Sequence, residues 1–191
     1  VVIAHQGAEF AKFDSSGIKV TQVEVNSHPV QFTFGESTKA LGNCLVVPIP
    51  PHLRNVGDEF DVKFHYSTSP NASAAQWLSA KATRSGNYPF LFTQCQAIHA
   101  RSLFPCQDSP GVKTTYTAVV KAPTWARVLM SALDETPEGT PKGETHWRQP
   151  VPTPAYLVAL AAGELDCKVI SPRVKVWAEQ SAVEAGAFEL Y

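Results

Sequence analysis

The chain lacks the features that mark membrane and nucleic-acid partners. No apolar run reaches the roughly 18 residues that a spanning helix needs, and no basic-then-apolar segment opens the chain. The net charge is -1 and basic residues do not cluster, so the chain offers no field that would attract nucleic acid or an anionic membrane. We therefore expect that the protein has no nucleic-acid partner and no membrane partner. The location that we expect is cytoplasmic.

Catalytic motifs are also missing. The 191 residues contain no G-x-G-x-x-G, no P-loop, no G-x-S-x-G and no H-E-x-x-H. The chain begins at Val1 and its only methionine is Met130, so we expect either that an N-terminal part was removed or that the chain is a piece of something longer. We expect the chain by itself to bind no catalytic zinc and to be inactive.

The four cysteines, Cys44, Cys95, Cys106 and Cys167, are widely spaced. They permit two disulfides in three connectivities, but a domain of this size does not need them. We favour free, mostly buried thiols in a reducing compartment, because cysteine is among the residue types most often buried.

Three residues with ligand chemistry lie close together in sequence: Cys95, His99 and Cys106. A closed zinc site would need a fourth ligand, which the pattern does not supply. A Cys95–His99 nucleophile pair would be about 13 Å apart on a strand, so packed thiols and a structural histidine are the favoured interpretation. Asp108, among turn-forming residues, is expected to accept backbone N–H groups in an Asx-type turn.

The 15 prolines and the frequent period-two patterns favour short strands. The strongest alternation runs through residues 58–66. We predict an all-β fold of nine or ten strands in one domain over residues 1–191, with a linker or helix start at 179–191 that carries Val183, Ala187 and Leu190. The other predicted elements are a hairpin from 18–25 to 30–34, an irregular excursion at 67–87 anchored by Trp77, and strands at 44–49, 113–121, 127–133, 144–148, 156–162 and 174–177.

The segment Phe90–Tyr116 concentrates polar side chains between β-type runs. In an extended chain Gln94 and Gln96 point to one face and Cys95 to the other. A carboxamide offers both donors and acceptors in fixed geometry, which suits recognition better than proton transfer. Ordinary exposed glutamines are the alternative that residue chemistry leaves open.

The same segment carries a family resemblance. The run QCQAIHARSLFPCQDSP, followed by VKTTY and preceded by SAAQWL and YPFLF, resembles the N-terminal domain of gluzincin zinc aminopeptidases, in the leukotriene A(4) hydrolase and aminopeptidase B branch. The resemblance continues through IKVTQVEVNSHPVQFTF, PTPAYLVALAAGEL and SPRVKVWAE, and so covers nearly the whole chain.

The resemblance implies a saddle-shaped, mostly antiparallel β domain, incomplete at its N-terminal edge, that covers the active site of a separate catalytic domain. That second domain would hold the zinc and would be this chain's partner, with a peptide as substrate. The position that matches the family's contact to the substrate's free amino end is Gln96, and Gln94 and Ala97 would line the adjacent pocket. His99, Arg101, Cys106 and Asp108 match as structural positions.

The expected function is therefore that of a substrate-cleft-covering domain in an enzyme that removes N-terminal residues from peptides. Epoxide hydrolysis by the whole enzyme remains open, because it depends on residues outside this chain. A stand-alone β-sandwich binding module is the alternative from another class.

Overall fold

The computed structural model describes residues 1–189, and strands dominate its regular structure. Four short 3-10 turns interrupt them, at Pro51–Leu53, Ala80–Ala82, Ala100–Ser102 and Ala155–Leu157. One helix, α1 (Gln180–Phe188), ends the described part. The strands in chain order are β1 (Phe10–Ser15), β2 (Lys19–Val25), β3 (His28–Pro29), β4 (Thr33–Thr38), β5 (Gly42–Pro48), β6 (Val62–Ser67), β7 (Ala75–Leu78), β8 (Phe90–Thr93), β9 (Lys113–Lys121), β10 (Arg127–Met130), β11 (Leu133–Asp134), β12 (Glu144–Pro154), β13 (Leu160–Gly163), β14 (Asp166–Ser171) and β15 (Val174–Ala178).

The residues group into two compact units, and each is made from separate stretches of chain. The first unit comprises residues 1–75, 95–113 and 154–156. The second comprises 76–94, 114–153 and the chain from 157 onward. Within both units the strands pair antiparallel, which confirms the predicted all-β, mostly antiparallel class.

The first unit contains two three-stranded sheets, ordered β1-β5-β4 and β3-β2-β6. Alternate side chains of their strands point into a shared core, where Val23, Val25 and Val47 are almost fully buried. Phe13 and Phe64 meet edge to face in the same cluster, with ring centroids 4.9 Å apart. Each fully buried aliphatic side chain contributes about 1.5–3 kcal/mol, so this core is the main stabilising element of the unit.

A second, smaller cluster of the first unit lies beneath the segment that follows β8. Its buried members are Ala74, Cys95, Ala100 and Ala155. Small side chains let the backbone of several loops approach closely, and half-buried aromatic residues such as Phe104 close the cluster. This cluster fixes the segment that carries Gln96.

The second unit holds a four-stranded sheet, β10-β13-β8-β7, a three-stranded sheet, β11-β12-β9, and the hairpin β14-β15. Helix α1 lies against that hairpin and buries Val183 and Ala187. These two residues are one helical turn apart, as the sequence predicted. The third predicted position of that face, Leu190, lies outside the described residues. None of the helices in the described part has the length and hydrophobicity that crossing a bilayer requires.

Several strand predictions are confirmed. Strand β9 has the predicted limits, and its Tyr116, Ala118 and Val120 form the less exposed face. Strand β15 extends the predicted 174–177 by one residue. The helix start after Glu179 is also confirmed.

The predicted hairpin from 18–25 to 30–34 is wrong over most of its second arm, where only Val30 bonds back to the first arm, its backbone N–H donating to the Val23 carbonyl oxygen at 2.9 Å. Strand β2 turns at Asn26 and Ser27, both at positive φ (46° and 65°), and pairs at once with β3. A two-residue turn of this kind matches the twist of paired strands, so the hairpin closes earlier than the apolar alternation suggested. Thr33 and Phe34 pair instead with β5.

The excursion at 67–87 is less irregular than predicted, because β7 lies within it. Trp77 is 60% exposed and therefore does not anchor the segment.

Three strands in the later part of the chain differ from the prediction. The predicted strand at 156–162 begins later, as β13, after a 3-10 turn, and β14 was not predicted. The predicted strand at 127–133 is interrupted between β10 and β11.

Candidate functional site

The predicted site residues lie in one short exposed stretch directly after β8. Gln94, Gln96 and Ala97 are all exposed, whereas Cys95 between them is only 2% exposed. The alternation predicted from the sequence is therefore present at this point. The role of the three exposed residues in binding a substrate remains a prediction.

Beyond Cys95 the chain does not stay extended. The His99 backbone N–H donates to the Cys95 carbonyl oxygen at 2.8 Å, which closes a turn over residues 95–99. The peptide bond between Gln96 and Ala97 is cis. We call residues Cys95–His99 the Gln96 turn; it exposes Gln96 and Ala97 and keeps Cys95 in the small apolar cluster of the first unit.

A buried ion pair lies next to this turn. Arg101 Nε donates to Asp108 Oδ2 at 3.0 Å, and the backbone N–H of Arg101 donates to the same oxygen at 3.2 Å. The Arg101 guanidinium also donates to the Leu41 carbonyl oxygen at 2.7 Å and lies 3.5 Å from an Asp14 carboxylate oxygen. Every charge in this group has an opposite partner or a hydrogen bond, as burial requires.

The prediction for Asp108 is therefore wrong in its geometry. Its carboxylate does accept a backbone N–H, but from Arg101 seven residues earlier and not within an Asx-type turn. The Asp108 N–H in turn donates to Asp14 Oδ2 at 3.0 Å, across 94 residues of sequence. The family resemblance matched Arg101 only as a structural position. No local sequence pattern indicates a hydrogen-bond partner as distant in sequence as Asp14.

The cysteine and histidine of the turn do not form a nucleophile pair. Burial raises the pKa of the Cys95 thiol to about 11, with a smaller contribution from the Asp108 carboxylate. A nucleophilic cysteine needs the opposite shift, because the thiolate is the reactive form. His99 Nδ1 shares a hydrogen bond of 2.8 Å with Ser73 Oγ, so a structural role for the histidine agrees with its contacts.

Cys106 is likewise held in its protonated form. Burial, followed by the charges of Asp108 and Asp14, raises the pKa of its thiol to about 12. Within residues 1–189 no group of three or more His, Cys, Asp or Glu side chains could hold a metal ion. The described residues therefore do not fit the zinc that the resemblance implies for the whole enzyme.

The four cysteines are free thiols. Cys95 is buried and Cys44 and Cys106 are half-buried, but Cys167 is exposed. The prediction of mostly buried thiols is therefore wrong, because only Cys95 is buried, and Cys167 on β14 is exposed.

A shallow cavity of about 360 Å³ lies elsewhere, in the second unit. Three acidic residues, Glu164, Asp166 and Glu179, contribute to its lining together with Arg84. Glu179 Oε1 already accepts the backbone N–H of Arg84 at 2.6 Å, so this carboxylate holds a loop. None of the predicted site residues lines this cavity.

Comparison with known proteins decides the family. The sequence model of the family described as the peptidase M1 N-terminal domain matches residues 2–157 of this chain. The chain belongs to the peptidase M1 N-terminal domain family. Leucine aminopeptidase 2 of Yarrowia lipolytica is 40% identical over 166 residues, which cover 87% of this chain and 25% of the relative. Leukotriene A-4 hydrolase of Xenopus laevis is 37% identical over 180 residues, which cover 92% of this chain and 29% of the relative.

Solved structures agree with this membership of the M1 family. Leukotriene A4 hydrolase from Saccharomyces cerevisiae superposes with a TM-score of 0.85 at 33% identity, covering 97% of this chain and 28% of that one. An aminopeptidase A from Legionella pneumophila has the same fold, with a TM-score of 0.70 at 15% identity. The chain spans between a quarter and a third of the length of the curated relatives it matches.

Proposed function

We propose that this M1 N-terminal domain is the substrate-cleft-covering part of a longer zinc aminopeptidase that removes N-terminal residues from peptides. The single observation that carries the proposal is 40% identity to a relative named leucine aminopeptidase 2. The zinc belongs to a catalytic domain of the same polypeptide, outside this chain, and the whole enzyme works in the cytoplasm. By this proposal the chain alone binds no catalytic zinc and hydrolyses no peptide.

In this proposal Gln96 holds the free amino end of the peptide. Its side chain is exposed on the Gln96 turn, so a ligand can reach it. The carboxamide oxygen accepts a hydrogen bond from the substrate ammonium group, and the amide N–H donates to the first carbonyl oxygen. Hydrogen bonds to a charged group are stronger than neutral ones, and they fix where the scissile bond lies.

Gln94 and Ala97 line the pocket beside that amino end. Both are exposed, as Gln96 is. The small Ala97 side chain leaves room for the substrate's first side chain, and the Gln94 carboxamide offers a polar wall. By this proposal the two residues influence which N-terminal residue of a peptide the enzyme prefers.

The test uses the full-length enzyme with Gln96→Ala and an aminoacyl p-nitroanilide as substrate. Hydrogen bonds to a charged group contribute about 1.5–3 kcal/mol. Losing those to the substrate ammonium group therefore predicts a fall in kcat/KM of about ten- to a hundredfold. Zinc content, measured by atomic absorption, should stay at the wild-type value because no ligand is altered.

Gln107→Ala is the matched control. Gln107 is exposed and belongs to the first unit, like Gln96, and loses the same atoms on substitution. It should leave kcat/KM within about twofold of the wild-type value. Unchanged kinetics in Gln96→Ala would remove Gln96 from the site.

A second candidate activity is hydrolysis of leukotriene A-4 by the same enzyme, an epoxide hydrolase reaction. It is favoured by 37% identity to the Xenopus laevis protein of that name. The check is incubation of the full-length enzyme with leukotriene A-4 and product analysis by chromatography. A stand-alone binding module would require instead that the natural reading frame contain no zinc motif after this domain.

A further inference from the structure

The direction of the Gln96 side chain depends on how the two ends of its turn are held. Cys95, at the first end, is buried in the small apolar cluster of the first unit. His99, at the other end, donates its backbone N–H to the Cys95 carbonyl oxygen at 2.8 Å. Gln96 and Ala97 are exposed and lie between these two held ends of the turn.

His99 is held by more groups than its neighbours in the turn. Its carbonyl oxygen accepts the backbone N–H of Ser102 at 2.9 Å and the Ser102 hydroxyl at 2.8 Å. That buried hydroxyl accepts the backbone N–H of Ala74 at 3.0 Å. The ring Nδ1 shares a hydrogen bond of 2.8 Å with the hydroxyl of Ser73, in the same loop as Ala74.

Both connections lead to residues 73–74, which are 25 or more positions away in sequence. The Ser102 hydroxyl ties this loop to the backbone of His99, and the Ser73 hydroxyl ties it to the ring. Two separate hydrogen bonds from one loop restrict rotation as well as displacement of the turn. The Ser73–His99 bond is the one that a side-chain substitution can remove without opening the buried cluster.

We propose that His99, bonded to Ser73, is a positioning residue that orients the Gln96 carboxamide for the substrate's amino end. This inference rests on the proposed function. The imidazole touches neither substrate nor metal in this role; it keeps the turn from rotating. An error of about 1 Å in the position of a binding group can cost up to about a hundredfold in rate, so a side chain three residues away can matter.

The chemistry of the hydrogen bond suggests a conservative substitution. In histidine Nδ1 is two bonds from Cβ, and in asparagine the two side-chain amide atoms are also two bonds from Cβ. His99→Asn can therefore still bond to Ser73 Oγ, whereas His99→Ala cannot. Ser73→Ala removes the same bond from the other, exposed side.

The experiment is a double-mutant cycle in the full-length enzyme, with kcat/KM for an aminoacyl p-nitroanilide as the readout. His99→Ala and Ser73→Ala should each lower kcat/KM by up to about tenfold when Gln96 is present, and His99→Asn should recover most of the loss. In the Gln96→Ala background each should change kcat/KM by less than about twofold, because the group that they orient is gone. Thermal unfolding of each variant reports whether the fold is retained.

If His99→Ala and Ser73→Ala lowered kcat/KM by the same factor in the wild-type and Gln96→Ala backgrounds, the inference would be overturned. Such additive effects would indicate a general loss of folded enzyme. If Gln96→Ala alone left kcat/KM unchanged, the proposed function of Gln96 would fail and this inference with it. The two failures are distinguishable by that single variant. If His99→Ala does not fold, Ser73→Ala at the surface carries the same test.

Discussion

Arg101 and Asp108 form the most deeply buried ion pair among the described residues. Nε and Oδ2 are 3.0 Å apart, and the two side chains are 7% and 2% exposed. Removing one partner from such a pair leaves an uncompensated charge in a medium of low polarity. The pair holds the chain directly after the Gln96 turn, so its loss affects the segment that carries the proposed site.

We predict that Arg101→Met lowers the free energy of unfolding by about 3–5 kcal/mol. Methionine keeps an apolar stem of similar length, so the effect reports the lost charge and hydrogen bonds. Urea unfolding followed by tryptophan fluorescence measures it. Arg148→Met is the matched control, since Arg148 pairs with Glu135 at 2.8 Å but both side chains are over 40% exposed. The control should leave the unfolding midpoint nearly unchanged; equal shifts in both variants would contradict the prediction.

Thiol reactivity tests the environment of the small apolar cluster. Because the pKa of Cys95 is about 11, only about 0.1% of this group is thiolate at pH 8. The thiolate is the form that reacts with iodoacetamide, and burial blocks access as well. Cys167, which is exposed, should therefore be alkylated first in the folded chain.

Peptide mapping by mass spectrometry after timed alkylation distinguishes the two sites. We expect Cys95 to react at least about a hundredfold more slowly than Cys167 at pH 8. Its rate should rise with pH up to about 11, because the buried thiol ionises only there. In urea the difference should disappear. Equal rates in the folded chain would show that Cys95 is accessible.

Gly42 illustrates a backbone constraint that a substitution can test. Its φ is +73°, and a Cβ atom at this position would lie 2.4 Å from the Ser15 carbonyl oxygen. Gly42→Ala therefore adds a steric clash to the cost of a left-handed conformation, and we predict a loss of about 3 kcal/mol or more. Gly7→Ala is the matched control, because Gly7 has a φ of +84° but nothing within 4 Å of the added Cβ. That variant should lose only about 1–2 kcal/mol. Similar losses in both would mean that the contact to Ser15 does not matter.

Elements with a local signal could be predicted from the sequence. Strand β9 has the predicted limits, and from Tyr116 onward its half-buried and exposed side chains alternate as predicted. The exposure of Gln94 and Gln96 with Cys95 buried between them agrees with the predicted alternation, although Gln96 lies in a closed turn and not in a strand. The helix start after Glu179 was visible in the spacing of Val183 and Ala187.

Errors occurred where pairing partners compete. Thr33 and Phe34 continue an apolar alternation that fits either a longer hairpin with β2 or a ladder with β5, and the ladder with β5 forms. Trp77 was expected to be an anchor because of its size, but its strand leaves the ring exposed. A periodic pattern states which residues share a face; it does not state which strand lies beside them.

The sequence by itself determined the β class and the absence of a known catalytic motif, because both depend on residues that are neighbours in the chain. Tertiary structure alone decided that Ser73 bonds to His99 and that Asp14 joins Arg101 and Asp108. Ser73 and His99 are 26 residues apart and Asp14 and Asp108 are 94 residues apart, and only the folding of the strands between them brings these polar atoms within hydrogen-bond distance.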